Sequence, residues 1–82
     1  MTAKEMFERL GYYKEEENFG SSLITWGGSR ATDFNYVQFN KEGTECYLEP
    51  NDSQPWKIED EICLTSNLVE AIYHQMQELK KE

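Results

Sequence analysis

Three side chains in this sequence could support nucleophilic or redox chemistry: Cys46, Cys63 and His74. The two cysteines form no CxxC pair, and His74 is the only histidine. A tetrahedral zinc site needs more sulfur and nitrogen ligands than the chain offers. We expect both cysteines to be small buried side chains, because free cysteine is among the most often buried residue types. A disulfide or redox pair is the alternative, and it requires the two cysteines to lie on neighbouring strands.

The sequence also shows no group of residues arranged for acid–base catalysis. His74 lies one helical turn from Glu70 and Glu78, which predicts a surface or boundary histidine beside a glutamate, with a general base as the alternative. A catalytic pair of carboxylates needs one member in an apolar environment that raises its pKa. Nothing in the sequence marks any of the acidic residues as buried. The sequence therefore predicts that the chain is not an enzyme and holds no cofactor and no metal.

The acidic runs and the paired glycines have structural interpretations. We expect the runs at residues 15–17 and 59–61 to be solvated. Loose binding of a divalent cation is the alternative. The residue spacing of a calcium-binding loop is absent, so the sequence does not predict a specific calcium site. No lysine follows Gly27 and Gly28 in the P-loop position. We expect these glycines to supply the positive φ of a tight turn.

Net charge limits the class of partner. Sixteen acidic and eight basic side chains give a net charge of −8, of which residues 1–41 contribute −1 and residues 42–82 contribute −7. Tyr36, Tyr47 and Trp26 could share a solvent-facing side of a sheet, the arrangement on which single-stranded nucleic acids stack. The surrounding acids would repel phosphates, so we expect no direct binding of nucleic acid.

Length and hydropathy predict one domain over residues 1–82. Eighty-two residues are too few for two separate cores, and 11 aromatic side chains supply much of one core. The apolar runs are only two or three residues long, which excludes a membrane span. Charges in the first dozen residues leave no secretory signal, and the low cysteine content favours the cytoplasm.

Two helices are predicted at the ends of the chain. The first covers about residues 3–10, begins with a capping box formed by Thr2 and Glu5, and ends at Gly11. The second covers about residues 67–81, after the candidate caps Thr65, Ser66 and Asn67. Its apolar stripe repeats every three or four residues and is widened by two more positions: Leu68, Ile72, Met76 and Leu79, with Val69 and Tyr73.

The segments between the helices predict strands. Residues 12–22 are assigned to a connection, residues 23–26 to a first strand, and residues 33–40 and 44–49 to a hairpin. A pairing of Phe39 with Cys46 and of Val37 with Leu48 places all four apolar side chains on one face. A Glu42-Gly43 turn fits this register, and a three-residue loop with Gly43 in the left-handed region is the alternative.

The segment between the hairpin and the second helix is predicted to contain a loop and a last strand. After the loop at residues 50–55, residues 56–58 and 62–64 alternate as one last strand or two short pieces. The expected architecture is α+β: a short N-terminal helix, a three- to four-stranded antiparallel sheet, and a longer C-terminal amphipathic helix packed on one sheet face. The other sheet face would then be partly exposed to water.

The two ends of the chain carry a resemblance. The opening MTAKEMFERLGY and the closing Gln75-Met76-Gln77-Glu78-Leu79 resemble small uncharacterised proteins of low-GC Gram-positive bacteria and their phages, which open with MTAKEMFExLGY. The resemblance covers the first 12 and the last 18 residues, whereas residues 26–28 and 50–55 depart from it. It implies a bacterial or phage cytoplasmic protein with an α-β-β-β-α arrangement, and it implies no catalytic residues.

These observations favour a protein-interaction module without enzymatic activity. Tyr36, Tyr47 and Trp56 are the candidate contact residues, because exposed aromatic side chains supply binding energy at low entropic cost. A homodimer formed through a free sheet edge is a variant of the same hypothesis. The alternative is an acidic inhibitor, or a DNA mimic, that docks on a basic nucleic-acid-binding protein. A small enzyme or ligand-binding protein is the third hypothesis, disfavoured because a domain of this size rarely builds a pocket.

Overall fold

A computed structural model describes residues 1–15, 23–51 and 62–81 of the chain. Its strands form one antiparallel sheet in which each strand pairs with its neighbour in sequence. The predicted α+β architecture is confirmed. The elements in chain order are α1 (Ala3–Arg9), β1 (Tyr13–Lys14), β2 (Ile24–Gly27), β3 (Phe34–Phe39), β4 (Cys46–Pro50) and α2 (Ser66–Lys80).

Helix α1 begins and ends as the sequence predicts. Oγ1 of Thr2 accepts a hydrogen bond from the Glu5 N–H at 3.2 Å, and Oε1 of Glu5 accepts one from the Thr2 N–H at 3.1 Å. The bond from the Thr2 N–H, together with one from the Thr2 hydroxyl at 3.0 Å, favours the charged carboxylate and lowers the pKa of Glu5. After the C-cap residue Leu10, Gly11 adopts a φ of 95°, a conformation that favours glycine.

The hairpin of β3 and β4 has the predicted register. Val37 lies opposite Leu48 and Phe39 opposite Cys46. Val37 and Phe39 are fully buried, and the two β4 residues are half-buried against the core. The apolar side of this hairpin is therefore the inner face of the sheet.

The hairpin loop has features of both predicted geometries. The strands keep the register described above, and Gly43 is in the left-handed region, as expected for the three-residue loop. Gly43 has a φ of 73°, and its N–H donates to the carbonyl oxygen of Asn40 at 3.1 Å. Oδ1 of Asn40 also accepts from the N–H groups of Thr44 and Glu45, each at 2.9 Å. The asparagine side chain thus satisfies backbone donors that the turn leaves without strand partners.

The fourth strand is not the predicted one. Tyr13 and Lys14, expected to lie in a connection, pair with Gly27 and Trp26 as β1. Residues 62–64 form no strand, and Ile62 and Leu64 are exposed, so the prediction of a strand there is wrong. Residues 56–58, the other half of that prediction, lie outside the described residues.

Helix α2 has the predicted extent, but its buried stripe is rotated. Thr65, one of the three candidate caps, accepts a hydrogen bond from the Leu68 N–H at 3.3 Å. Leu68, Ala71, Gln75 and Leu79 are buried, while Ile72 and Met76 are partly buried. Val69 and Tyr73, expected to widen the stripe, are 48% and 60% exposed. Gln75 belongs to the stripe because its amide accepts the indole N–H of Trp26, and Ala71, one turn earlier on the same side of the helix, is fully buried.

The core lies between the two helices and the inner sheet face. Phe7 of α1 stacks on Trp26 of β2, with ring centroids 4.9 Å apart, and meets Phe39 edge-on at 6.0 Å. Nε1–H of Trp26 donates to Oε1 of Gln75 at 2.9 Å, which joins the sheet to α2. Trp26 is only 2% exposed, so the expectation that it shares the solvent-facing side with Tyr36 and Tyr47 is wrong.

A buried polar cluster fixes the loop between β2 and β3. Nδ2 of Asn51 donates to the carbonyl oxygens of Ser29 and Thr32 at 3.1 and 3.0 Å. Oγ1 of Thr32 accepts from the Ser29 N–H at 2.9 Å and donates to the carbonyl oxygen of Phe34 at 2.7 Å. The end of β4 is thereby tied to the far side of the β2–β3 connection.

Gly27 and Gly28 do not have the positive φ that the sequence predicted. Among the glycines in the described ranges, only Gly11 and Gly43 have positive φ values. Gly28 is required for space, since a Cβ there would overlap the carbonyl oxygen of Phe34 and Oγ1 of Thr32. Its N–H donates to the carbonyl oxygen of Asn35 at 2.8 Å.

Within residues 1–15, 23–51 and 62–81, neither α1 nor α2 has the length and apolar character needed to cross a membrane.

Candidate interaction surface

The outer face of the sheet carries two rows of side chains. Successive residues of a strand point to opposite faces, so the residues that alternate with buried Trp26 and Val37 point outward. In the first row Gly27 lies between Tyr13 and Tyr36, and Tyr36 pairs onward with Glu49. In the second row Gln38 lies between Thr25 and Tyr47. We call this surface the tyrosine face, defined by Tyr13, Thr25, Tyr36, Gln38, Tyr47 and Glu49.

Tyr13 covers the glycine in the first row. A Cβ placed on Gly27 would lie 2.7 Å from Cζ and 2.9 Å from the hydroxyl oxygen of Tyr13. The Tyr13 ring therefore fills the space that a side chain at position 27 would take, next to Tyr36. Tyr13 remains 55% exposed, so much of the ring surface is open to a partner.

The second row is held by a polar contact across the strands. Nε2 of Gln38 donates to Oγ1 of Thr25 at 3.2 Å. The Glu15 N–H donates to the carbonyl oxygen of Thr25 at 2.9 Å, which extends the pairing of β1 with β2 beyond Lys14. Tyr47 ends the row and is 44% exposed. The backbone of the whole surface is thus fixed by the sheet.

Carboxylates surround the aromatic side chains. Glu15 lies beside Tyr13, whose hydroxyl donates to it at 3.4 Å. Glu49 ends the first row and accepts a hydrogen bond from Nδ2 of Asn35 at 3.3 Å. A hydrogen bond to Glu45 raises the pKa of Tyr47, so its phenol remains protonated and can donate. The two rows contain no lysine or arginine, and the surface is therefore negatively charged.

The structure brings together two of the three predicted contact residues. Tyr36 and Tyr47 both belong to the tyrosine face, with Tyr36 half-buried between its neighbours. Trp56 lies outside the described residues. Sequence reasoning missed Tyr13, because two residues of strand carry no detectable alternation. A signal was present in Gly27, since a glycine inside a strand is often covered by an aromatic side chain of the next strand.

The residues considered for catalysis lie elsewhere. Cys46 is on the inner face, where burial raises the pKa of its thiol to about 11. Cys63 is exposed, so the expectation of a buried side chain is wrong for this residue, and both thiols are free rather than bonded to each other. His74, half-buried on α2, meets Tyr73 edge-on at 6.0 Å. Within the described part of the chain, no three His, Cys, Asp or Glu side chains are grouped to hold a metal ion.

No family model, curated protein or solved structure matches this chain.

Proposed function

We propose that this chain is a protein-interaction module without enzymatic activity, and that it binds its partner through the tyrosine face. The observation that carries this proposal is the alignment of Tyr13, Tyr36 and Tyr47 on one side of a sheet whose other side is buried. Aromatic side chains on a rigid backbone lose little conformational freedom on binding, which makes them effective contact residues.

The carboxylates define the chemistry of the partner. Glu15, Glu45 and Glu49 flank the tyrosines, so the complementary surface is basic. Arginine is the best-suited contact, because its guanidinium stacks on aromatic rings and pairs with carboxylates in one geometry. The partner we propose is a protein with an arginine-containing basic patch.

The cellular setting is part of the same proposal. The ends of the chain resemble small proteins of low-GC Gram-positive bacteria and their phages, which supports a bacterial or phage protein that works in the cytoplasm. A reducing compartment is compatible with two free thiols.

A pull-down from native host cells tests the contact surface. The bait variants are Tyr36→Ala and Tyr47→Ala, and Tyr73→Ala is the matched control because Tyr73 is an exposed tyrosine on α2. We expect specific partners to be lost with the first two variants and kept with the control. Partners that persist in both sheet variants, or that are lost equally with Tyr73→Ala, would contradict the proposal.

A second copy of this chain is the other partner that the sheet supports. Among the described strands β4 pairs only with β3, so its outer edge has no strand partner there. Exposed edges readily pair with a further strand. Sedimentation over a range of concentrations, with a Leu48→Pro variant that removes a backbone donor, distinguishes this edge-paired dimer from binding through the tyrosine face. If the chain dimerises through the edge of β4, Leu48→Pro should weaken self-association and Tyr47→Ala should leave it unchanged.

The carboxylates that flank the tyrosine face, Glu15, Glu45 and Glu49, also support a second candidate function, an inhibitor that presents carboxylates to a nucleic-acid-binding protein. In that case charge rather than aromatic contact supplies the affinity. Replacing Glu45 and Glu49 by glutamine would abolish binding, Tyr47→Phe would preserve it, and moderate salt would disrupt it because exposed charges are screened within about 8–10 Å. Binding that survives both glutamine substitutions excludes the inhibitor.

A further inference from the structure

A cleft of about 520 Å³ lies on the inner side of the sheet, opposite the tyrosine face, between the two helices and the β1–β2 end of the sheet. Its volume falls within the range of small-molecule sites, roughly 300–1,000 Å³. The described residues that line it are Lys4, Lys14, Ile24, Trp26, Gln75, Glu78 and Leu79.

The cleft has an apolar floor. Ile24 and Trp26 come from β2, and Leu79 comes from the last turn of α2. Trp26 is held in place on one side by the stacked Phe7 ring and on the other by its hydrogen bond to Gln75. Trp26 and Leu79 are only 2% and 7% exposed, so a hydrocarbon group here would contact mainly the half-buried Ile24.

A buried amide donor accompanies this floor. Gln75 is only 8% exposed, and its Oε1 accepts the indole N–H of Trp26 at 2.9 Å. An indole nitrogen can only donate, so the Gln75 oxygen must face the indole. The NH₂ group at the other end of the amide can then donate hydrogen bonds elsewhere. That NH₂ group has no acceptor among the residues that the structure describes. A buried donor without an acceptor costs free energy that a ligand oxygen would recover.

The charged groups of the lining favour an anion. Lys4 and Lys14 are exposed, and neither forms an ion pair within residues 1–15, 23–51 and 62–81. Glu78 is the only carboxylate among the described lining residues, and it already accepts the Ala3 N–H at 2.8 Å. The described lining residues thus carry a formal charge of +1 in a chain whose net charge is −8.

We propose that this cleft binds a small monocarboxylate with an apolar tail. The tail lies on Ile24 and reaches the small exposed parts of Trp26 and Leu79. One carboxylate oxygen accepts from Nε2 of Gln75, and the two lysines neutralise the charge. This site is separate from the tyrosine face, so each proposal can fail without the other.

Octanoate, with octan-1-ol and octylammonium as uncharged and cationic comparisons, tests the site. Proton–nitrogen correlation spectra report directly on the Trp26 indole N–H and the Gln75 side-chain NH₂. We expect octanoate to shift both signals in a saturable way. We expect the other two probes to bind about tenfold more weakly or not at all, because a hydrogen bond to a charged group is stronger than one between neutral groups.

Charge variants separate this site from general attraction of anions. We expect Lys4→Gln with Lys14→Gln to weaken octanoate binding about tenfold, and Lys41→Gln, the same change in the exposed hairpin loop, to leave it within about twofold. Gln75→Glu keeps an acceptor for the indole but removes the NH₂ donor, and we expect it to abolish binding if it folds.

Three results would overturn the proposal: no saturable shift with octanoate, equal affinity for octan-1-ol, or equal loss of affinity in Lys41→Gln.

Discussion

Trp26 and Gln75 form a hydrogen bond across the core, from Nε1 of the indole to Oε1 of the amide, at 2.9 Å. Both residues are at least nine-tenths buried, and they belong to β2 and α2. The bond sets the rotation of α2 against the sheet, because only a residue at the centre of the buried stripe can reach the indole. This contact explains why Gln75, and not Tyr73, faces the core.

Removing the amide acceptor should destabilise the protein. In Gln75→Leu the indole N–H is left buried without a partner, so we expect a loss of about 1–3 kcal/mol in the free energy of unfolding. Urea denaturation measures it. Combining Gln75→Leu with Trp26→Phe removes both polar groups, and the double variant should lose less than the two single losses added together. Strict additivity would show that the bond contributes nothing.

The two adjacent glycines should differ in their tolerance of a methyl group. In Gly28→Ala the Cβ meets the carbonyl oxygen of Phe34, which the sheet holds in place, and we expect a loss of about 3 kcal/mol or more. In Gly27→Ala the Cβ meets the end of the Tyr13 side chain, which can rotate away, and we expect about 1 kcal/mol or less. Thermal unfolding of both variants provides the comparison, and equal losses would contradict the assigned close approach.

Asn51 should be more important for stability than its position at the end of β4 suggests. Asn51→Ala removes the side-chain hydrogen bonds to the carbonyl oxygens of Ser29 and Thr32, so we expect a loss of about 2–3 kcal/mol. Asn35→Ala is the matched control, since its bond to Glu49 is exposed and should be worth less than about 0.5 kcal/mol. The same denaturation assay measures both variants, and a similar effect of the two would contradict the polar cluster.

The two thiols should react at different rates. Because burial raises the pKa of Cys46 to about 11, on the order of one thiol in a thousand is ionised there at pH 8. Cys63 is exposed, and we expect it to react first with a disulfide reagent. Mass spectrometry after limited labelling identifies the modified residue. Preferential labelling of Cys46 would place it outside the core.

The same pKa has a consequence for stability at high pH. The thiol of the unfolded chain ionises near its ordinary value of 9.0, below the value of about 11 in the folded protein. The unfolded state therefore releases this proton first, and stability should fall as the pH rises from about 9 toward 11. Cys46→Ala should reduce this pH dependence in the same unfolding assay.

The strands with regular alternation were predictable from the sequence. Val37, Phe39, Cys46 and Leu48 fall on one face only in one register, and a shift by one residue would have buried glutamate. The first helix was equally predictable, since Thr2 and Glu5 mark its start and Gly11 marks its end. In these segments local sequence preference and tertiary packing agree.

Other features depend on contacts that no local pattern shows. Tyr13 and Lys14 form a strand because β2 offers a free edge, and two residues carry no periodicity of their own. Ile62 and Leu64 alternate like a strand but are exposed. Gln75 is buried because Trp26 supplies a donor, whereas a polar residue in an amphipathic helix is ordinarily assigned to the solvent side.

The tyrosine face was predictable only in part for the same reason. Tyr36 and Tyr47 follow from the hairpin register, but Tyr13 joins them through the pairing of β1 with Gly27. Trp26 was assigned to the wrong face because its register relative to β3 was not known from sequence.

Site-specific photo-crosslinking tests the central claim most directly. A benzophenone amino acid replaces Gln38 at the centre of the tyrosine face, or Tyr73 on α2 as the control, and native host cells are irradiated. The account predicts a discrete protein adduct from position 38 that Tyr36→Ala abolishes, and no such adduct from position 73. An absence of adducts at position 38, or the same adduct from both positions, would contradict it.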